Sequence, residues 1–293
     1  MSRLNVLKTY KIFIGGQFPR TESGRFYALK NKKKELLANV CLASRKDLRN
    51  AVVAARTAFE GWAARSAFNR GQILYRIAEL LEGRKAQFIE ELVLQGLTAK
   101  AAEQEVFQSI DRLVHYAGWC DKYQALFSAV NPVSGPFHNF SAPEPMGVVN
   151  IIAPEKSSLL GLISVMAPVI CGGNTCVLLA SESLPLCAVS FTEVLATSDL
   201  PAGVVNVLTG SSKELHTHFS SHMDANALVY ARSNKEELKT MQQNASLNVK
   251  RFFHWNKDWT KDENQHPYLI MDLQEIKTTW QPVETSGMGA SKY

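Results

Sequence analysis

Two hydrophobic periodicities divide this chain. From residue 145 onward, short apolar runs recur at 148–152, 175–179, 204–208 and 227–230, and segments of helix length separate them at 158–170, 185–197 and 212–220. Strands alternating with helical patterns predict a parallel sheet with helices on both faces. Ser233 with Glu236 reads as a capping box opening a helix over 234–244, and 249–254 supplies a fifth strand. The class is therefore α/β, built on a five-stranded parallel sheet. In such sheets the ligand crevice lies at the carboxyl ends of the strands, so the residues just past each run are the ones to test for chemistry.

Ahead of the sheet the period is helical. Ser44 opens a helix with Asp47 three residues on, and Leu48, Val52, Ala55, Phe59 and Trp62 share one face. Three more stripes follow: Ile73, Ile77, Leu80 and Leu81; then Phe88, Ile89 and Leu92; then Val106, Ile110, Leu113, Ala117 and Cys120. These stripes read as core, and four helices ahead of the sheet can cover one of its faces. Residues 10–18 alternate around Gly15-Gly16 and predict two short strands joined by a turn. Residues 131–145 hold Pro132, Gly135, Pro136, Pro143 and Pro145, which exclude helix and predict a hairpin or an excursion from the main body. Polar residues 256–266 read as a linker, 268–280 as a long terminal strand, and 286–293 as a mobile tail.

Composition narrows the classes. With 293 residues the chain can bury a large core as one large domain or two smaller ones. The net charge of +5 is mild, and the basic run from Lys30 to Lys34 lacks the interleaved aromatics of a nucleic-acid surface, so it reads as a solvated loop. No run reaches the roughly 18 apolar residues that a membrane span requires, and the first ten residues lack a signal-peptide core. The five cysteines are odd in number and include no C-x-x-C pair, so reduced core thiols in a cytoplasmic protein are expected, and no metal site.

Several motifs carry a resemblance. Phe13-Ile14-Gly15-Gly16-Gln17, the helix from 51 to 62, Arg70-Gly71-Gln72-Ile73-Leu74 and Tyr116-Ala117-Gly118 come first in the chain. Glu144-Pro145-Met146-Gly147-Val148, Gly173-Asn174-Thr175 with Ser181-Glu182, and Leu200-Pro201-Ala202-Gly203 running on to Gly210 follow. In this order, over residues 10–253, they resemble the amino-terminal part of aldehyde dehydrogenases. The resemblance implies a Rossmann-like NAD-binding domain over 1–130 and 144–257. It also implies a small antiparallel oligomerisation sheet from 131–143 and 266–283, with a tail over 284–293. The family's catalytic domain would be absent, a layout similar to the truncated second unit of family-sixteen aldehyde dehydrogenases.

Aldehyde oxidation of this kind requires a thiolate that attacks the carbonyl before hydride passes to NAD. The family places that cysteine well after the capped helix, and here no cysteine follows Cys187. Where the family has Pro-Trp-Asn, the chain reads Pro154-Glu155-Lys156; Trp255 stands at the general-base position, with His254 beside it; and Leu179 replaces a ribose-holding lysine. The family's Thr-Gly-Ser is Ala231-Arg232-Ser233, which exchanges a glycine at the pyrophosphate for bulk with a phosphate-seeking charge. The resemblance thus leaves no catalytic residue and a degenerate cofactor set of Pro154, Glu182, Gly210, Arg232 and Ser233, with NAD possible but not expected. It points to a non-catalytic homologue that works by oligomerisation, as a homodimer or with a full-length aldehyde dehydrogenase. A subunit lending part of a site to an NAD-dependent oxidoreductase, and a nucleotide or phosphate sensor, are the alternatives.

Overall fold

A computed structural model describes residues 8–31 and 33–283. The chain opens with an antiparallel hairpin, β1 (Phe26–Lys30) and β2 (Leu36–Cys41). The described part of the basic run forms its turn, where the Asn31 side chain accepts the Lys33 and Glu35 N–H groups. This hairpin is not legible in the sequence, because few of its residues turn inward: Leu29, Ala38 and Val40 onto Leu186 and Val189, and Cys41 at its end into the core beside α1.

Helices α1 (Arg45–Ala63), α2 (Ala67–Gly83), α3 (Lys85–Leu94), α4 (Ala99–Trp119) and the short α5 (Tyr123–Phe127) follow. The Ser44–Asp47 capping box forms as expected: each side chain takes the other residue's N–H. Next come β3 (Ala129–Asn131) and β4 (Phe137–Pro145). The alternating region is β5 (Val148–Ile152), α6 (Leu160–Cys171), β6 (Thr175–Leu179), α7 (Leu186–Thr197), β7 (Val205–Leu208), α8 (Ser212–Ser221), β8 (Ala227–Tyr230), α9 (Lys235–Ser246) and β9 (Arg251–His254). The chain closes with α10 (Tyr268–Met271) and β10 (Gln274–Pro282).

The parallel sheet has the order β7-β6-β5-β8-β9, with the strand order reversing at β5. Alternation sorts its residues: Val148 and Ile152 face Leu48, Val52 and Phe219, while Val149 and Ile151 face the larger cluster around α6 and α2. Asn150 on the first face is buried, and its amide donates to Phe219 O at 2.8 Å. The four early helices do not form one layer, as the stripes suggested. α1 joins the α8 side, whereas α2 and α4 stack behind α6 on the other side, where Trp62 reaches across and donates to Ile170 O at 3.1 Å.

Four local expectations are corrected. Residues 10–18 make isolated bridges, with Phe13 closing the outer edge of β7 at Val207, because too few residues stay extended to form strands. Helix α9 is capped by Asn234, whose side chain accepts the Glu236 and Glu237 N–H groups, and Ser233 stays outside. The expected long terminal strand begins as α10: Leu269 and Ile270 are adjacent and both buried, which a helical turn allows and a one-sided strand does not. Residues 256–266 are tethered, because Trp255 and Trp259 are buried and the buried Arg112 guanidinium donates to Trp259 O and Gln265 Oε1 at 2.9 and 2.8 Å. The tail expected over 286–293 lies outside the described residues.

β4, β3 and β10 form a second sheet in the order β10-β4-β3, with Gln274 opposite Pro145 and Pro282 opposite Phe137. The hairpin and terminal strand therefore meet, as the resemblance implied. Among the described residues no helix is long and apolar enough to cross a membrane.

Candidate functional site

The carboxyl ends of β5 and β8 open into a cavity of about 770 Å³, closed on the far side by α4 and by the tethered segment after β9. Its position follows from the strand order, since the crossovers leave β5 in opposite directions and part there. Of the residues singled out in the sequence, Pro154, Arg232 and Ser233 line it, with Lys156 beside them. Glu182 lies beyond the end of β6 and outside the cavity, and its backbone carbonyl accepts the Tyr27 hydroxyl at 3.0 Å. Gly210 is elsewhere: its φ of +149° brings it against the Ala43 backbone, where a Cβ would lie 3.1 Å from Ala43 N.

Arg232 does not reach into the cavity as a free cation. Its side chain is only 9% exposed, and Nη1 pairs with Glu155 Oε2 at 2.8 Å. Nε donates to Ala153 O at 2.8 Å and Nη2 to Ala180 O at 3.0 Å. One guanidinium thus ties together the ends of β5, β6 and β8. The Glu155 carboxylate is committed as well: it accepts the Ser183 N–H at 2.8 Å and the Glu182 N–H at 3.2 Å. Arg232 and Glu155 neutralise each other at the strand ends, where an anionic ligand would otherwise meet a free guanidinium.

The helix N-terminus beneath the cavity is occupied in the same way. Glu105 of α4 points its carboxylate at the start of α6 and accepts the Leu159 and Leu160 N–H groups at 3.0 and 3.2 Å, while Ser157 Oγ takes the Gly161 N–H. A helix start attracts negative charge, and here the protein supplies it. Glu105 and Arg112 are the residues that sequence reasoning misses; both sit inside an amphipathic helix among other polar positions. The pattern gave Glu155 away only as a departure from a motif.

At the end of β9, Trp255 is buried and its indole N–H donates to Asp272 Oδ2 at 3.1 Å. Burial pushes the Asp272 carboxyl above its usual range. His254 faces the stacked Tyr230 ring, and its Nε2 lies 2.9 Å from Arg232 O. The Tyr230 hydroxyl donates to Glu237 Oε2 at 2.9 Å, and burial first and that carboxylate second hold the phenol protonated. The five cysteines are all buried, and no cysteine lines the cavity among the described residues. Burial raises the thiols of Cys171, Cys176 and Cys187.

The aldehyde dehydrogenase family model matches residues 18–253. This chain belongs to the aldehyde dehydrogenase family. It is 32% identical over 258 residues to mouse cytosolic 10-formyltetrahydrofolate dehydrogenase, covering 86% of this chain and 28% of that protein. It is 33% identical over 251 residues to omega-crystallin of Enteroctopus dofleini, covering 84% and 50%. The solved NAD+ complex of aldehyde dehydrogenase from Bacillus cereus superposes with a TM-score of 0.80 at 26% identity, over 84% of this chain and 50% of that one. The chain therefore spans half the length, or less, of these aldehyde dehydrogenase relatives.

Proposed function

We propose that this chain is a non-catalytic member of its family, a pseudoenzyme that acts as an oligomerising structural or regulatory subunit. The observation that carries the reading is the self-satisfied crevice, with Arg232 and Glu155 bound to each other and to the strand ends. On this reading the residues do not fit NAD. The resemblance puts the pyrophosphate at Ala231-Arg232-Ser233, where Arg232 already commits three of its five N–H donors, and its charge, to Glu155 and two carbonyls, and Leu179 is an apolar, fully buried residue where a ribose-holding lysine belongs. Nucleophilic attack on an aldehyde also lacks its group, because the thiols are buried away from the cavity. A cytoplasmic setting agrees with five unpaired cysteines.

The small sheet supports the oligomeric half of the reading. β10 is an outer strand nine residues long, and Ile276 and Trp280 on it are 54% and 57% exposed. A long outer strand carrying apolar residues is a pairing template. The partner is a second copy or a full-length aldehyde dehydrogenase. The test combines turnover and mass. With NAD and a panel of simple aldehydes the purified chain forms no NADH, and in sedimentation it runs as an oligomer that Ile276→Lys with Trp280→Asp dissociates. NADH production at enzyme-like rates overturns the non-catalytic reading, and a wild-type monomer that binds no full-length aldehyde dehydrogenase overturns the oligomeric one.

A further inference from the structure

A pair of thiols stands apart from the crevice. Cys120 follows α4 as its capping residue, and Cys171 is the last residue of α6. Both are buried, and their sulfurs lie 3.5 Å apart. The other cysteines, at 41, 176 and 187, make no such sulfur–sulfur contact among the described residues. The surroundings are polar for a core. Arg70 of α2 lies against the end of α6, its Nε donating to Cys171 O at 3.2 Å. The hydroxyls of Tyr116 and Tyr123 nearby are buried without a hydrogen-bond partner among the described residues.

We propose that Cys120 and Cys171 are a redox site that closes to a disulfide when a small peroxide reaches it. Bonded sulfurs lie about 2.05 Å apart, so the pair needs a shift of about 1.5 Å, within the reach of χ1 rotation and slight helix-end movement. The chemistry balances with hydrogen peroxide as oxidant. One sulfur loses its proton and attacks a peroxide oxygen; the O–O bond breaks, and water leaves behind a sulfenic acid. The second sulfur gives up its proton and attacks the first; the S–O bond breaks, and a second water leaves. Two thiols are oxidised, one peroxide is reduced, and one S–S bond forms. The Arg70 guanidinium favours the thiolate of Cys171, while burial, the larger effect, opposes it, so the pair reacts slowly and only with an oxidant small enough to enter.

The position gives the bond a consequence. Cys120 lies at the root of the arm that runs through α5 into β3 and β4, and Cys171 precedes Gly172, whose carbonyl accepts the Gln274 side chain at the start of β10. An S–S bond would therefore clamp the base of the small sheet to the parallel-sheet core, across 51 residues of chain.

The test uses the full chain with graded hydrogen peroxide, followed by alkylation, digestion and mass spectrometry. The expected result is a peptide pair joining residues 120 and 171, lighter by two hydrogens, with Cys41, Cys176 and Cys187 still alkylated as thiols. The melting temperature should rise by several degrees, and the rise should reverse with dithiothreitol. Cys120→Ser and Cys171→Ala each abolish the linked peptide; either variant that fails to fold is replaced by partial alkylation of wild type under mild denaturant. Recovery of both residues as free thiols, or of either as sulfinic acid without a link, while the protein stays folded, overturns the proposal.

Discussion

Replacing Arg232 by methionine tests whether this guanidinium holds the strand ends together. Methionine keeps the alkyl stem and removes the head group. Two buried carbonyls, Ala153 O and Ala180 O, lose their donors, at about 1 kcal/mol each. Glu155 loses its counter-charge, but its side chain is 34% exposed and keeps the Glu182 and Ser183 N–H groups. Solvent screening therefore discounts the ion pair to about 1 kcal/mol. The expected loss is about 3 kcal/mol in all, or a fall of about 6–12 °C in Tm for a chain of this size. Urea unfolding followed by tryptophan fluorescence reads it directly, and an unchanged m-value shows that the folded state has kept its compactness. Arg232→Lys keeps the charge and loses the planar fork, so it should recover less than half of the loss. A methionine variant within 0.5 kcal/mol of wild type would refute the reasoning: the contacts would then be incidental, and the strand ends would not be held together by this guanidinium.

Asn234→Ala should cost about 1 kcal/mol, with Ser233→Ala neutral, since the cap belongs to the later residue; denaturant titration separates them. The Lys250 amine, which donates to His222 O, is depressed by burial from 10.5 to about 8. Between those values the unfolded chain holds a proton that the folded chain does not, so stability should rise with pH through that window, by up to about 3 kcal/mol relative to Lys250→Met, in parallel urea series. A flat difference curve would contradict the shift. Arg112→Met frees the segment after β9, and trypsin should then cut at Lys257 and Lys261 on the order of tenfold faster, the equivalent of about 1.4 kcal/mol of local opening.

Patterns of period 3.6 and short apolar runs make the parallel sheet and its helices legible, because each buries a face that must be apolar; the hairpin shows only through its prolines, and its pairing with the terminal strand only through the family resemblance, because β10 is exposed along nearly its whole length. The β1–β2 hairpin is invisible in the sequence, since a strand pair that turns just Leu29, Ala38, Val40 and the terminal Cys41 inward leaves little pattern. α10 reads as strand in the sequence because a single turn gives a period no window can resolve. The site divided in the same way. That Arg232 replaces a glycine could be read from its neighbours. Its internal partners could not: Glu155 lies 77 positions earlier, and nothing local marks a carboxylate as the one that will meet it. Glu105 and Arg112 are polar residues on a helix with many others, and only the packing of α4 over α6 distinguishes them.

The pairing of β4 with β10 also has a temporal side. Ser141 and Thr278 meet across that ladder from positions 137 apart. On the ribosome, at roughly 5–20 residues per second, β4 is complete about 7–27 s before its partner strand is made. Throughout that interval the nine-residue β4 has only the three residues of β3 to pair with, and its other edge stands open. The unpaired edge of a long strand is a template for pairing with any other extended chain, and for β4 that exposure ends only when β10 has been made.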